Sequence, residues 1–341
     1  MAIRVAINGF GRIGRSLFRI LLSNPDAEIV AVNDLCEERI LAHLLRYDSF
    51  HGRFDCKIEH GQGWLSAGGQ KLTMIRQPRP EGLPWKELGV DLVVEATGAF
   101  TTGGDARKHL LAGAQSVLIS APSDDADVTI VLGVNQKDYN AATHKVVSAA
   151  SCTTNCLTPV VYVLDKEFGV QKGLVTTVHS YTNDQNLLDH PHADLRRARS
   201  AAVSIIPTTT GAARAVEKVL PKLKGRLDGV SVRVPTADIS LADITLLLGR
   251  KVTAKEVNSA LLLAAHGELN GILGFSDEPL VSVDYRGCPF SAVVDSLQTR
   301  VVDGDMIKVS AWYDNEWGYA NRLSEVVGLM AGRQFIAGDY P

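Results

Sequence analysis

Two cysteines, Cys152 and Cys156, stand four residues apart in the segment SAASCTTNCLTP. A thiolate can attack a carbonyl carbon, bind a metal or exchange with a disulfide. A zinc site needs further Cys or His ligands, and the chain has no second pair of cysteines at ligand spacing. A redox pair usually has two intervening residues, whereas this pair has three. The spacing therefore predicts no metal and favours one nucleophile with a companion.

The two thiols differ in their position on a predicted helix. Cys152 follows the strand pattern KVVSAA and precedes an apolar helical run, so it stands at the helix start. Unpaired N–H groups and the helix dipole lower the pKa of a thiol at such a position. Cys156 lies one turn further on, where the surroundings become apolar, and we expect it to be an inert buried thiol.

Thiol catalysis needs a base within hydrogen-bond reach, and the chain has nine histidines. His179 ends a Thr- and Val-rich strand pattern and enters a polar segment, which is typical of a group that projects into a cleft. A structural histidine is the alternative. His190 and His192, in DHPHAD, are flanked by charges and indicate a polar loop.

A second candidate site is the glycine-rich segment NGFGRIG, with Gly9, Gly11 and Gly14 in dinucleotide-binding spacing. A predicted strand precedes it, a predicted helix follows, and Asp34 ends the next strand 20 residues after Gly14. The glycines permit a tight turn, a close approach to pyrophosphate and close helix packing. Asp34 would bind ribose hydroxyls and repel a 2′-phosphate, which favours NAD over NADP. An ordinary turn with a solvated aspartate is the alternative.

These groups must be positioned by elements that differ between the two halves of the chain. The first half alternates apolar strands with helical patterns, which predicts a doubly wound, parallel α/β sheet of Rossmann type. Its predicted strands are 3–8, 28–34, 91–98, 116–122, 128–134 and 145–151. After Cys152, long strands follow without regular helices between them, which predicts an α+β domain with a mixed or antiparallel sheet.

The length of 341 residues favours two domains. We expect a dinucleotide-binding domain in residues 1–151, completed by a C-terminal helix within 316–341, and a catalytic domain in residues 152–315.

The composition of the chain indicates which kinds of partner and which cellular compartment to expect. A net charge of −3, from 35 basic and 38 acidic residues, gives no reason to expect nucleic acid or anionic lipid. The chain begins without a signal-peptide pattern, and no apolar run reaches roughly 18 residues, so no membrane span is expected. Five scattered cysteines favour a reduced, cytoplasmic protein.

Taken together, the motifs closely resemble the phosphorylating glyceraldehyde-3-phosphate dehydrogenase family over essentially the full length. The resemblance rests on the glycine turn, SAASCTTNCLTP, TTVHSYTNDQNLLD, LRRARSAAVSIIPTTTGAARAV, VRVPTADIS and WYDNEWGY. It implies that Cys152 is the nucleophile, that His179 is its base and that Cys156 is unreactive. It also implies NAD as cofactor, a phosphorylated aldehyde and inorganic phosphate as substrates, and a homotetramer.

The resemblance also implies two sets of binding residues. For the substrate and the attacking phosphate, they are Ser151, Thr153, Thr182, Arg197, Thr210, Gly211 and Arg233. Taken alone, LRRAR is also compatible with a solvated basic face, and TTTG with a helix cap. For the cofactor, they are Gly9, Phe10, Gly11, Arg12, Ile13, Gly14, Asp34, Thr97, Gly98, Ser120, Asn315 and Tyr319.

Two departures bear on specificity. The chain reads LDHPH where that family often has L-D-L-P-H, and this leaves tolerance of NADP open. The C-terminal stretch leans toward the related erythrose-4-phosphate dehydrogenases, which share S-C-T-T-N-C. Asp34 and the intact HSYTNDQ and PTTTGAA segments favour the triose phosphate.

Overall fold

The computed structural model describes residues 2–333. The chain forms two compact units. The first comprises residues 2–130, 135–151 and 320–333, and the second comprises residues 131–134 and 152–319.

The first unit alternates strands and helices in the order that the apolar pattern predicts. Its elements are β1 Ile3–Asn8, α1 Arg12–Leu21, β2 Ala27–Asn33, α2 Glu38–Arg46, β3 Tyr47–Asp48, β4 Gly52–Arg53, β5 Ile58–Gly61, β6 Trp64–Ala67, β7 Gln70–Ile75, β8 Leu92–Glu95, α3 Gly103–Leu111, β9 Ser116–Ile119, β10 Val128–Thr129 and β11 Val146–Ser148.

The main sheet of this unit has nine strands in the order β10-β11-β9-β8-β1-β2-β7-β6-β5. From β10 to β7 every neighbouring pair is parallel. Strands such as β8 are buried along their whole length, as expected for a parallel sheet that is covered on both faces. A core cluster that includes Trp85, Val93 and Val117 packs against it. The predicted α/β class is confirmed.

Two stretches of the first unit differ from the sequence expectation. The strand predicted over 128–134 covers only Val128–Thr129, and Gly133, with φ 83°, stands in a left-handed conformation that a strand does not adopt. Residues 58–75 add the antiparallel strands β5 and β6 to the edge, so the sheet is mixed. Gly68 and Gly69, both with positive φ, form the two-residue turn of the hairpin that joins β6 to β7.

The second unit is built around a mixed sheet. Its elements are α4 Cys152–Phe168, β12 Val170–Ser180, β13 Ile206–Thr209, α5 Ala212–Val219, β14 Leu227–Val234, β15 Ser240–Leu248, α6 Ala254–His266, β16 Leu273–Ser276, β17 Ala292–Val302 and β18 Met306–Tyr313. The strand order is β13-β14-β12-β15-β18-β17-β16. Alternate residues of β15 are buried, and α4 packs against β12, β15, β17 and β18. The predicted α+β class is confirmed.

A last helix, α7 Trp317–Met330, lies in the segment where a closing helix was predicted. Within the first unit, Ser324 Oγ accepts a hydrogen bond from Asn24, and Arg333 pairs with Asp26 at 2.6 Å. The remainder of the predicted segment, residues 334–341, lies outside the described residues. Among the helices of residues 2–333, none is both long and apolar enough to cross a membrane.

Candidate active site

A thiol and an imidazole face each other in the second unit. Helix α4 begins at Cys152, and its Sγ lies 3.6 Å from Nε2 of His179 near the end of β12. Nδ1 of His179 lies 2.6 Å from the carbonyl oxygen of Ser180, which can only accept a hydrogen bond. The proton of the neutral ring is therefore assigned to Nδ1, and Nε2 presents a lone pair to the thiol. This arrangement suits transfer of the thiol proton to the ring.

Burial controls the protonation of this pair. Burial raises the pKa of the Cys152 thiol, and the positive charge of Arg233 opposes that rise. Burial also lowers the pKa of His179 to about 3, with a further lowering by Arg233. Burial therefore disfavours the charged form of both groups. The Thr153 N–H at the helix start does lower the pKa of Cys152, but the loss of hydration on burial outweighs it, so the net shift is upward.

The turn that leads into Cys152 is held in an unusual conformation. Ala150 has φ 55°, in the left-handed region, and its N–H donates to Ser148 Oγ at 3.1 Å. The Ser148 hydroxyl in turn donates to the Ala121 carbonyl at 2.7 Å. A non-glycine residue in this region costs free energy and persists only where surrounding contacts hold it. These contacts hold the turn immediately before Ser151 and the nucleophile.

Cys156 lies in a different environment. It is fully buried, and its Sγ lies 3.9 Å from the carbonyl oxygen of Ala311 on β18. Burial raises the pKa of this thiol well above its ordinary value. A thiol that stays protonated and inaccessible is a poor nucleophile.

Tyr313 is a site residue that the sequence reasoning missed. Its hydroxyl lies 3.0 Å from Thr153 Oγ1 and 2.8 Å from Thr177 Oγ1. Its ring meets the His179 ring edge-on, with centroids 6.0 Å apart. Tyr313 thereby links the first turn of α4 to the strand that carries the histidine. The motif WYDNEWGY was a signal, but only its later residues were assigned roles.

Arg233 lies beside the histidine because of strand register. Strands β12 and β14 are parallel neighbours in which His179 pairs with Arg233. Arg233 Nη1 donates to Thr182 Oγ1 at 3.2 Å and to the Ser180 carbonyl at 3.3 Å. Its buried Nε has no hydrogen-bond partner within the described residues. A guanidinium with a spare donor is suited to bind phosphate.

A second cationic group is built around Arg197. Its guanidinium pairs with Asp184, donates from Nε to Thr208 Oγ1 at 3.0 Å and reaches the Thr209 carbonyl at 3.5 Å. Thr208 was not predicted, because the TTT run does not reveal which hydroxyl faces the arginine. The positive charge of Arg197 lowers the pKa of His179, so the two residues belong to one electrostatic environment.

The other residues predicted to bind phosphate are Thr210 and Gly211, which directly follow Thr209, and Ser151. Thr210 Oγ1 accepts the Ala212 N–H at 3.2 Å, and Gly211 caps α5 with open space around its Cα. Ser151 is half-buried and directly precedes Cys152.

In the first unit, the glycine turn has the geometry that its spacing predicts. Gly9 has φ 98°, and a Cβ there would lie 2.6 Å from the backbone nitrogen of Thr97. A Cβ on Gly14 would clash with the Gly9 carbonyl oxygen. Gly11 caps α1 without a side-chain hydrogen bond, and no atom lies within 4 Å of the position where its Cβ would be. The backbone at this helix start can therefore be approached closely on the side of Gly11, as an anion site requires.

Asp34 organises the same turn. Its Oδ2 accepts the Phe10 N–H at 2.8 Å, and its Oδ1 accepts the Cys36 N–H at 2.9 Å. Each oxygen keeps a further lone pair for a hydroxyl donor, which fits the ribose of NAD. The Phe10 side chain is buried edge-on against Phe18, 5.4 Å between centroids. Phe10 can therefore meet a ligand only through its backbone.

The remaining predicted cofactor residues are divided between the units. Arg12 is paired with Asp48 in the first unit. Also in the first unit are Ile13, Thr97, Gly98 and Ser120. Asn315 and Tyr319 belong to the second unit. The Ser240 hydroxyl donates to Asn315 Oδ1 at 2.7 Å, which leaves the Asn315 amide N–H groups facing away from Ser240. Tyr319 is buried, and burial raises its pKa.

A dinucleotide-binding turn and a thiol–imidazole pair in one chain define a dinucleotide-dependent oxidoreductase that uses a cysteine nucleophile.

Comparison with known proteins identifies the family. The model of the glyceraldehyde 3-phosphate dehydrogenase NAD-binding domain matches residues 3–103, and that of the C-terminal domain matches residues 151–315. Glyceraldehyde-3-phosphate dehydrogenase of Geobacillus stearothermophilus is 56% identical over 98% of this chain and 99% of its own. Glyceraldehyde-3-phosphate dehydrogenase 1 of Bacillus cereus is 53% identical over 97% and 99%.

The chain therefore belongs to the glyceraldehyde-3-phosphate dehydrogenase family, and the resemblance found in the motifs is confirmed. It is an NAD-dependent oxidoreductase that acts on an aldehyde group.

Proposed function

We propose that the chain oxidises D-glyceraldehyde 3-phosphate to 1,3-bisphosphoglycerate in glycolysis or gluconeogenesis, with NAD and inorganic phosphate as co-substrates. The observation that carries the proposal is the 3.6 Å approach of Cys152 Sγ to the unprotonated Nε2 of His179. The compared relatives are named for glyceraldehyde 3-phosphate, and the tetrose alternative is not favoured.

Catalysis begins with the thiol. As Cys152 Sγ attacks the aldehyde carbon, its proton passes to His179 Nε2, and a hemithioacetal forms. Because burial disfavours the charged form of both groups, this concerted transfer avoids a buried ion pair before substrate binds. The low pKa of His179 then favours return of the proton to the substrate oxygen or to solvent.

The second step oxidises the hemithioacetal to a thioester on Cys152. His179 takes the hydroxyl proton as the carbonyl forms. The backbone N–H groups at the start of α4 would stabilise negative charge on the substrate oxygen. Inorganic phosphate then attacks the thioester carbon, the carbon–sulfur bond breaks, and the acyl phosphate is released. The Cys152 thiolate takes the proton held by His179, which restores the thiol and the neutral ring. Apart from the hydride acceptor, these steps need only the side chains of this chain, the aldehyde and inorganic phosphate.

NAD, when bound, supplies the acceptor for the hydride that this oxidation releases. Gly9, Gly11 and Gly14 would let the backbone approach its pyrophosphate, and Asp34 would accept its ribose hydroxyls. We assign the other cofactor contacts to Phe10, Arg12, Ile13, Thr97, Gly98, Ser120, Asn315 and Tyr319.

The two cationic groups would divide the phosphates between them. Arg233 and Thr182 already share a hydrogen bond, and the spare Nε of Arg233 is available for one phosphate. Arg197 would bind the other with the hydroxyls of its neighbours. The full set comprises Ser151, Thr153, Thr182, Arg197, Thr210, Gly211 and Arg233.

Cofactor binding and substrate chemistry would be carried out by different parts of the chain. We assign cofactor binding to residues 1–151 with the C-terminal helix of 316–341, and substrate chemistry to residues 152–315.

The assembly is proposed to be a cytoplasmic homotetramer. The segment from Leu187 to Ile205 exposes large apolar side chains, with Leu188 79%, Leu195 82% and Val203 81% exposed. Exposed apolar clusters of this kind mark protein–protein contacts. Sedimentation-velocity measurements should give a mass of about four chains, and a monomer would contradict this part of the proposal.

The function is tested by steady-state NADH formation from glyceraldehyde 3-phosphate with phosphate and NAD, in parallel with erythrose 4-phosphate and with NADP. We expect the highest kcat/KM for the triose with NAD, and loss of turnover when phosphate is withheld. A higher kcat/KM for erythrose 4-phosphate would overturn the assignment of substrate, and no turnover with either aldehyde would overturn the reaction.

A further inference from the structure

A buried chain of polar side chains runs beneath the glycine turn in the first unit. It begins at Trp85, whose Nε1 donates to His109 Nδ1 at 2.9 Å. It continues from His109 Nε2 to Glu95 Oε2 at 3.0 Å. Asn8 Nδ2 reaches the same oxygen at 2.5 Å. Each of these four residues is at most 1% exposed. The mechanism proposed above assigns no task to Glu95, His109 or Trp85.

The directions of these hydrogen bonds determine which nitrogen of His109 carries the proton. Indole Nε1–H can only donate, so His109 Nδ1 is an acceptor and carries no proton. The proton of the neutral ring therefore sits on Nε2 and is donated to Glu95. A doubly protonated ring would leave the Trp85 N–H buried without an acceptor.

The Glu95 carboxylate accepts from two further donors, both of them on Thr97. The Thr97 N–H reaches Oε1 at 2.8 Å, and the Thr97 hydroxyl donates to the same oxygen. Four donors thus converge on two carboxylate oxygens, which matches the acceptor capacity of an ionised glutamate. The buried carboxyl group of Glu95 is therefore fully hydrogen-bonded.

These bonds place the Thr97 backbone where the glycine turn needs it. The Thr97 nitrogen is the atom that a Cβ on Gly9 would approach to 2.6 Å, so the two backbones are in close contact. The same strand ends are tied together by Ala96 N–H to the Asn8 carbonyl at 2.7 Å and by Gly9 N–H to the Asn33 carbonyl at 2.8 Å. Displacement of Thr97 would therefore displace the turn.

We propose that Glu95 is a positioning residue of the cofactor site, which it controls by holding both donors of Thr97 and thereby the segment that packs on Gly9. This inference rests on the proposed NAD-dependent function.

A consequence for recognition follows from the same bonds. The N–H of Thr97 is used by Glu95, and its hydroxyl donates to Glu95 and accepts the Ala99 N–H at 3.0 Å. Toward a ligand, Thr97 therefore offers acceptors, above all its carbonyl oxygen. This suits a hydrogen-bond donor such as a ribose hydroxyl or a carboxamide, and it disfavours a phosphate oxygen.

Glu95→Gln is the direct test. The amide has the same shape but brings its own N–H₂ toward groups that already donate, so at least one bond to Thr97, Asn8 or His109 is lost. We expect KM for NAD and the calorimetric Kd for NAD to rise at least about tenfold. KM for glyceraldehyde 3-phosphate and the alkylation rate of Cys152 without cofactor should stay within about twofold.

Trp85→Phe is the matched control. It removes a buried hydrogen bond at the far end of the same chain and leaves the contacts of Thr97 in place, so we expect a lower Tm with an unchanged Kd for NAD. Thr97→Val, which removes a partly buried hydroxyl, should weaken NAD binding even if the Glu95 variant folds poorly.

Equal Kd values for NAD in the wild type and in both the Glu95 and Thr97 variants would overturn the positioning role. A rise in Kd that follows the loss of Tm equally in Trp85→Phe would also overturn it. A wild-type chain that fails to bind NAD would instead refute the proposed function.

Discussion

The polar groups of the two candidate sites differ in how far the protein itself satisfies them. In the first unit, Glu95 accepts four hydrogen bonds, and Asp34 accepts two backbone N–H groups. In the second unit, Arg233 keeps a buried Nε without a partner in the described residues. There, burial also drives the pKa of His179 down to about 3 and that of Cys152 up.

The difference reflects what each region has to do. A site that recognises a whole cofactor benefits from groups that are already oriented, because little ordering remains to be done on binding. A site that forms and breaks bonds needs groups whose charge state changes along the reaction, so their interactions must be completed by the substrate. Substitutions should therefore reduce turnover in the second unit and affect stability or cofactor binding in the first.

The largest effect is expected for Cys152→Ser. A serine hydroxyl is a much weaker nucleophile than a thiol, so kcat for NADH formation should fall at least about 1000-fold. Circular dichroism and Tm should remain those of the wild type. The matched control is Cys156→Ser, which should keep kcat within about threefold and lower Tm, because it buries a hydroxyl in an apolar site. Similar losses of kcat in the two variants would contradict the distinction between the thiols.

A smaller loss is expected for His179→Gln. An amide cannot take a proton from the thiol or the hemithioacetal, so kcat should fall roughly 100- to 10,000-fold. Alkylation of Cys152 by iodoacetamide at pH 7 should also slow. Tyr313→Phe, which keeps the ring beside His179 and removes the hydroxyl, should cost much less. A His179 variant with more than a tenth of the wild-type kcat would remove the histidine from the mechanism.

Substitutions at two glycines of the turn, Gly9 and Gly11, should differ in their effect on stability although both should weaken NAD binding. Gly9→Ala should lower the free energy of unfolding by about 3 kcal/mol, because it combines a positive φ with overpacking against Thr97. Gly11→Ala has open space and should change that free energy by less than about 0.5 kcal/mol. Both variants should bind NAD more weakly in calorimetry. Equal stability of the two variants would show that Gly9 is not sterically required.

A contrast within the first unit concerns Glu325, a buried carboxyl that is less well satisfied than Glu95. It pairs with Arg322, but burial dominates and raises its pKa from 4.5 to about 7. A raised carboxyl pKa means that the folded state holds a proton that the unfolded state releases. The contribution of Glu325 to stability should therefore fall by about 3 kcal/mol as pH rises from about 4.5 to about 7, and then level off.

Urea denaturation across this pH range tests the assignment. The Glu325→Gln variant should lack that decline, while Glu28→Gln, at an exposed position, should keep it. Parallel curves for the wild type and Glu325→Gln would assign the pH dependence to other groups.

Much of the fold could be predicted because its signals are local. Apolar runs bounded by polar residues predicted β1, β2, β8, β9 and β11. The glycine turn between strand and helix indicated the dinucleotide-binding class. The hairpin strands β5, β6 and β7 were missed because their apolar pattern is weak, although Gly68 and Gly69 marked the turn. The strand predicted over 128–134 was too long because of Gly133.

The candidate site could be predicted in its residue types but not in its contacts. Cys152 and His179 are 27 positions apart, and the sequence does not contain their 3.6 Å approach. Tyr313 was missed because its hydroxyl meets Thr153 and Thr177, which are far away along the chain. Glu95 and Thr208 were missed because local sequence does not reveal which groups a polar side chain contacts. The register of β12 and β14 that sets Arg233 beside His179 is likewise a long-range property.

By itself, the sequence determined the class of fold, the family and the type of cofactor. It also placed Cys152 at the start of a helix and Cys156 one turn into it. These properties depend on short motifs and local periodicity. Only the tertiary structure decided which nitrogen of His179 is free, that burial raises the pKa of Cys152, and that Glu95 accepts both donors of Thr97. The physical reason is that protonation and hydrogen-bond direction depend on burial and on partners distant in the chain. Local sequence does not specify these.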